Sequence, residues 1–257
     1  MPPIPHPENR LRQVIARGDT AIGVWCSLGG PLATEVVASA GPDWVLIDCE
    51  HSPNQLLSIV PQLQTAAAYP VEAVVRLPSH DTAAIKQTMD AGARSLMFPN
   101  VRSAEEAASL VAAMRYAPNG VRGFSSSHRG NRFGRIDDYH RTAHEHQWLA
   151  AQIECADGLA NAAAIAAVDG IDALFIGPGD LSANLGAMNN PGADHVQEAI
   201  QKIIGDAKAA GKAAGILAPA VDDARRYIGW GCNMAAVGSD LSILVRGVDQ
   251  LVATFKD

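Results

Sequence analysis

Short apolar runs take turns along the chain with stretches in which apolar residues recur every three or four positions. The runs fall at 21–28, 44–48, 72–77, 95–98, 149–154, 173–176, 213–217 and 234–237. Their run-like character is that of strands covered on both faces, as in a parallel sheet. The spacing between them predicts helices over 31–40, 81–91, 103–116, 157–167, 195–210, 221–229 and 241–255. End signals support these limits. Pro31 stands early in its helix and Gly41 closes it; Asp81 is placed to cap and Gly92 to terminate; Ser103 and Glu106 have capping-box spacing. Strands that alternate with helices imply a parallel sheet, and eight such strands imply closure into a (β/α)8 TIM barrel, a single α/β domain. An open doubly wound sheet is the competing topology, and the lack of a G-x-G-x-x-G after the first strand counts against it.

Two segments stand outside the rhythm. Residues 1–10, MPPIPHPENR, are polar and Pro-rich, without the apolar core of a signal peptide, and are expected to form a flexible lead-in. Residues 117–147 carry little apolar periodicity and hold Arg122, Arg129, Arg132 and Arg135, the densest positive charge in the chain. Loops this long are usually functional or mobile. The segment reads either as a solvated excursion or subunit contact, or as a lid or anion-steering loop. Its His140, His144 and His146 suit a solvent-exposed cluster better than a zinc site, because no carboxylate has matching spacing.

Composition narrows the partners. A net charge of −7 argues against nucleic acid, whose phosphates require Lys and Arg. No apolar stretch is long enough to span a membrane. Cys26, Cys49, Cys155 and Cys232 are widely spaced, which suits reduced thiols in a cytoplasmic protein.

In a barrel the chemistry gathers at the C-terminal ends of the strands. Strand two ends in Asp48, Glu50 and His51, strand three in Arg76, strand five in Gln152 and Glu154, and strand six in Asp180 after a Gly-Pro-Gly turn. Each has a structural alternative. Asp48 or Glu50 could cap the next helix, Arg76 could tether the barrel or pair with Glu154, and Asp180 could be an N-cap. Those alternatives leave unexplained why buried strands repeatedly end in ionisable groups on one rim. Glu154 and Asp180 offer oxygen ligands only, which suits a hard divalent ion such as Mg2+ or Mn2+ with positions left for water and a chelating α-keto acid. Arg76 would stabilise negative charge growing on a keto oxygen, and His51 has the intrinsic pKa to move a proton near neutrality. None of Lys86, Lys202, Lys208, Lys212 and Lys256 is placed to form a Schiff base, so carbonyl chemistry here would use a metal. Trp25 and Leu217, at the ends of strands one and seven, would wall the pocket.

The stretches GVWCSLGGP, DWVLIDCEHSPN, VVRLP, IKQTMDAGARSLMFPNV, RYAPNGVRG, QIE and LFIGPGDLSANLG resemble, in order, the HpcH/HpaI aldolase family. The resemblance runs from about Gly23 to the end of the chain. It implies a metal-dependent (class II) pyruvate aldolase on a (β/α)8 barrel, a lyase that cleaves a 4-hydroxy-2-oxo acid to a keto acid and an aldehyde with Mg2+, Mn2+ or Co2+. By motif, His51 resembles the catalytic base, Arg76 the arginine that stabilises the enolate, and Glu154 and Asp180 the metal ligands. Gln152 and the Gly179–Asp180 backbone resemble the part that binds the keto acid, although relatives often have Ala where Gly179 stands. Asp90 resembles an aspartate that raises the basicity of the histidine. It sits at the C-terminal end of its helix, so it would reach His51 only if that helix is displaced or across subunits of a homo-oligomer; the resemblance implies a hexamer, a trimer of dimers, which favours the second route, and an ordinary surface ion pair is the structural alternative. A CoA-ester lyase of the citrate-lyase-β or malyl-CoA type and a non-catalytic small-acid sensor remain as rivals. Phosphate binding at GPGD and GSD is the weaker reading, for want of a nearby Lys.

Overall fold

The computed structural model describes residues 4–256. Eight parallel strands close into a barrel in sequence order, β8 returning to β1. They are β1 (Ala21–Cys26), β2 (Trp44–Asp48), β3 (Glu72–Arg76), β4 (Ser95–Phe98), β5 (Trp148–Ile153), β6 (Ala173–Ile176), β7 (Ala213–Leu217) and β8 (Met234–Ser239). The helices are α1 (Arg10–Ala16), α2 (Pro31–Ser39), α3 (Leu56–Ala66), α4 (Thr82–Asp90), α5 (Ala104–Met114), α6 (Tyr139–Thr142), α7 (Ala156–Ala166), α8 (Pro178–Asn184), α9 (Asp194–Ala209), α10 (Val221–Trp230) and α11 (Asp240–Phe255). The expected single-domain TIM barrel is therefore the observed fold. Among the described residues, no helix is long and apolar enough to cross a membrane.

Two apolar layers hold the barrel. Trp25, Trp44, Leu46, Val74, Met97 and Phe175 fill the interior. Outward-facing strand residues such as Ile47, Val75, Leu96 and Ile176 meet the inner faces of the helices. Gly23 makes room for the interior, since a Cβ there would lie 2.1 Å from the Trp44 ring.

Three expectations are corrected. Residues 4–10 are not a free lead-in. Ile4 bridges to Ile136, the His6 ring stacks on Tyr139 and His146, and buried Asn9 caps α1 while its amide reaches Ser95 Oγ at 2.8 Å. Leu11 and Val14 of α1 then pack against the base of the barrel interior. Second, α3 was concealed by Pro61. The proline deprives the Leu57 carbonyl of its intrahelical partner, but Leu57 lies exposed on the first turn, where solvent is free to satisfy it. Third, 117–147 is not a lid over its own strand ends; much of it is exposed, but it is anchored at the other end of the barrel. Arg129 donates to the Ala91 carbonyl at 2.9 Å and Arg122 pairs with Asp90, so the loop wraps the end of α4 at the N-terminal face. Its histidines do not converge: His140 bonds the Ser125 carbonyl and His146 stacks on His6, while His144 is exposed.

Candidate active site

The site begins with strand register. Asp48 and Arg76 are direct partners at the ends of β2 and β3, so their side chains leave the sheet on the same side. Arg76, 6% exposed, donates from Nε and Nη2 to the two Asp48 oxygens at 2.9 and 2.8 Å. Its Nη1 lies 2.8 Å from Glu50 Oε2, and its guanidinium stands 5.2 Å from the Trp25 ring centroid. Burial alone would raise the Asp48 carboxyl. The Arg76 hydrogen bonds and charge, with the amides of Glu50 and His51, outweigh it and hold Asp48 below the ordinary value.

The chain after β2 turns over Asp48. Asn54 donates to the Asp48 carbonyl at 2.7 Å and accepts from Gln62 of α3 at 2.8 Å, which fixes the loop carrying Glu50 and His51. His51 itself is open to solvent, its side chain 65% exposed and 3.7 Å from Glu50.

Glu154 follows β5 and is buried. Its Oε1 accepts from the Asn100 amide at 2.7 Å and its Oε2 from the Gln152 side chain. It does not pair with Arg76, whose donors are taken by Asp48 and Glu50. Gly177, at the end of β6, closes over this carboxylate; a Cβ there would lie 2.3 Å from Glu154 Oε2. Asp180 stands in the first turn of α8, with Gly177 rather than Asp180 at the cap. Burial first, then the charges of Glu50 and Asp180, push the Glu154 carboxyl up to about 7. Burial also raises Glu50, with Asp48 and Asp180 adding to it against the pull of Arg76 and His51.

Four carboxylates thus gather around one guanidinium, which touches only Asp48 and Glu50. Glu50 Oε2 and Gln152 Oε1 are buried without a hydrogen bond, the Arg76 contact to Glu50 lying at an angle that no hydrogen bond uses. An excess of oxygen donors and negative charge at a strand-end rim fits a hard divalent cation. Among the described residues, no three His, Cys, Asp or Glu side chains gather closely enough to enclose an ion unaided. Glu154 and Asp180 would hold it, with water or substrate completing the shell.

Of the residues singled out from sequence, His51, Glu154, Gly179 and Asp180 follow strand ends on this rim, Arg76 is the last residue of β3, and Gln152 is the penultimate residue of β5. Trp25 and Leu217 pack in the same interior cluster below it. A Cβ at Gly179 would meet open space, so an alanine there would fit without moving the turn. Asp90 is not brought to His51 within the chain. It sits at the opposite end of the barrel, 2.7 Å from Arg122 and 3.7 Å from His128. Asn100 was missed. Its left-handed backbone, φ 53°, turns its amide onto Glu154, and the Pro99-Asn100 pair closing β4 was the available signal.

The sequence profile described as HpcH/HpaI aldolase/citrate lyase matches residues 21–246. A hydroxypyruvate/pyruvate aldolase of Delftia acidovorans is 47% identical over 239 residues, 93% of this chain and 89% of that one. A 5-keto-4-deoxy-D-glucarate aldolase of Klebsiella pneumoniae is 43% identical, covering 96% and 97%. The crystal structure of an HpcH/HpaI aldolase/citrate lyase family protein from Burkholderia cenocepacia superposes with a TM-score of 0.93 at 36% identity, covering 97% of this chain and all of that one. The chain belongs to the HpcH/HpaI aldolase/citrate lyase family.

Proposed function

We propose that the protein is a class II aldolase that reversibly cleaves a 4-hydroxy-2-oxo acid to pyruvate, or a hydroxypyruvate-like keto acid, and an aldehyde. The observation that carries this is the carboxylate group of Glu50, Glu154 and Asp180 set against the single guanidinium of Arg76 at the strand ends. The aldolase names of the two relatives support the same reading.

A divalent ion held by Glu154 and Asp180, whether Mg2+, Mn2+ or Co2+, would supply Lewis-acid polarisation of the keto oxygen. Gln152 and the Gly179–Asp180 backbone hold the oxo acid. His51 takes the proton of the C4 hydroxyl as the C3–C4 bond breaks. Arg76, locked by Asp48, stabilises the charge that reaches the keto oxygen of the departing enolate. Trp25 and Leu217 wall the pocket. Protonation of the enolate carbon then gives the keto acid, and the aldehyde leaves.

We place this enzyme in the cytoplasm, as its four free thiols suit, and in a homo-oligomer, a trimer of dimers. Two features support assembly. Along α11, Leu244, Val248, Leu251 and Phe255 stand exposed, Phe255 at 84%; contiguous apolar surface of this kind marks a contact. Asp90 keeps an accessible edge beside Arg122, from which it could meet His51 of another copy.

The test is a panel of aldehydes with pyruvate or hydroxypyruvate, following bond formation in metal-free protein and after addition of Mg2+, Mn2+ or Co2+. Metal-restored aldol addition is expected. Full activity after complete chelation, unaffected by added metal, would overturn the reading.

A further inference from the structure

One sizeable cavity is at the wrong end for catalysis. It occupies about 720 Å3 at the N-terminal face, between the start of the chain, the ends of α3 and α4, and the segment 129–135. Active sites of this fold lie at the opposite rim, whereas the N-terminal face ordinarily serves stability.

Its charge is unbalanced. Arg10, Arg94, Arg129, Arg132 and Arg135 line it against the carboxylates of Glu8 and Glu72. Arg94 is accounted for, held by both oxygens of Glu72 at 2.9 and 2.7 Å. Glu8 bonds the Gln13 amide. Among the described residues, no carboxylate pairs with Arg10, Arg129, Arg132 or Arg135. Arg129 is half-buried and has only the Ala91 carbonyl, and burial followed by the charge of Arg132 pulls its pKa down. Arg132 and Phe133 adopt left-handed backbone, φ 52° and 60°, an unfavourable conformation for side-chain-bearing residues. The strain holds a guanidinium and an aromatic ring at the mouth. Leu63, Val71 and Met89 supply an apolar wall behind them.

Like charges crowded without counter-charge, on a backbone strained to present them, are explained by an anion that binds there. Guanidinium forks recognise phosphate and carboxylate oxygens alike, and the volume suits a small metabolite. We propose that this cavity is a second ligand site, taking a compact polyanion of the polyphosphate or polycarboxylate class, at the opposite end of the barrel from the catalytic rim of the same chain.

Calorimetry on the full-length, metal-free protein tests it, with inorganic pyrophosphate, ATP and citrate as probes at low ionic strength. Metal-free conditions remove chelation at the rim as a source of heat. At least one probe is expected to bind, and the Arg132→Gln, Arg135→Gln variant to weaken it roughly tenfold or more, about the effect of losing one strong charge-assisted contact. Arg76→Ala, which alters the rim, is expected to leave that binding intact. Both substituted arginines are exposed, so the variant should keep the wild-type melting curve; should it not, Arg10→Gln replaces it. Pyrophosphate, ATP or citrate as the tightest probe would separate phosphate from carboxylate chemistry, and a gain from pyrophosphate to ATP would assign the apolar wall. No binding by any probe at millimolar concentration overturns the proposal. So does binding that Arg76→Ala abolishes and the loop variant leaves unchanged.

Discussion

Arg76 grips Asp48 through two parallel hydrogen bonds of 2.9 and 2.8 Å between adjacent strand ends. Such a fork fixes the guanidinium plane as well as its position. The third nitrogen is thereby left beside Glu50, 2.8 Å from its Oε2, without a hydrogen bond to it. Arg76→Lys keeps the charge but cannot span both Asp48 oxygens, so a large share of the effect of Arg76→Ala is expected from it. For Arg76→Ala we expect turnover to fall roughly 10²-fold or more, as for loss of one oxyanion donor. Steady-state kinetics check this. A variant with near wild-type turnover would remove Arg76 from the chemistry.

Glu154 illustrates the conflict between stability and function. Its folded-state value of about 7 lies above its ordinary 4.5. The folded protein therefore holds this proton more tightly than the unfolded chain does. Stability from it is complete below about 4.5 and drains away as pH rises through about 7. In metal-free protein at pH 8, Glu154→Gln is expected to raise the melting temperature while abolishing the rise that added divalent metal gives the wild type. Scanning calorimetry with and without metal reads both effects. An unchanged metal response in the variant would count against Glu154 as a ligand.

The barrel was legible because buried parallel strands are apolar runs, and because Gly41 and Gly92 punctuate the helices between them. The rim was legible for a related reason: Asp48, Arg76 and Glu154 are the first ionisable groups after short runs with no charge. What escaped notice depended on tertiary context. The periodicity of α3 was masked by Pro61, tolerable only because it falls near a solvated first turn. Residues 4–9 look like linker by composition, yet ring stacking at His6 and the Asn9 cap tie them down. Nor could spacing show that Arg122, far along the chain, would take the Asp90 carboxylate.

That pairing makes a separate prediction. The Arg122 side chain is fully buried, stands 4.5 Å from the Tyr116 ring centroid, and has Asp90 as its carboxylate. Asp90→Ala would strand a buried cation and is expected to cost about 3 kcal/mol of folding stability, measurable by denaturant titration. Asp90→Asn preserves shape. If Asp90 also supports His51 across a subunit contact, the acid limb of kcat/KM should move to lower pH in Asp90→Asn. A lowered stability with an unmoved limb would confine Asp90 to its structural role.

Helix α11 sets the last expectation. A helix of 16 residues is marginal in water by itself. This one buries only Asp240, whose carboxylate takes the amides of Ser27 and Leu28, while its apolar residues past the first turn stay open. The anchor fixes where the helix begins, and among the described residues nothing covers the rest of its length. Leu244 and Val248 lie one turn apart on the same face. Leu244→Asp with Val248→Asp would place two charges in any apolar contact made there, and light scattering should then report a smaller particle than the wild type. The barrel should still melt cooperatively, because these side chains contribute little to its core. An assembly of unchanged mass, or a wild type already monomeric, would show that α11 is not a contact between copies.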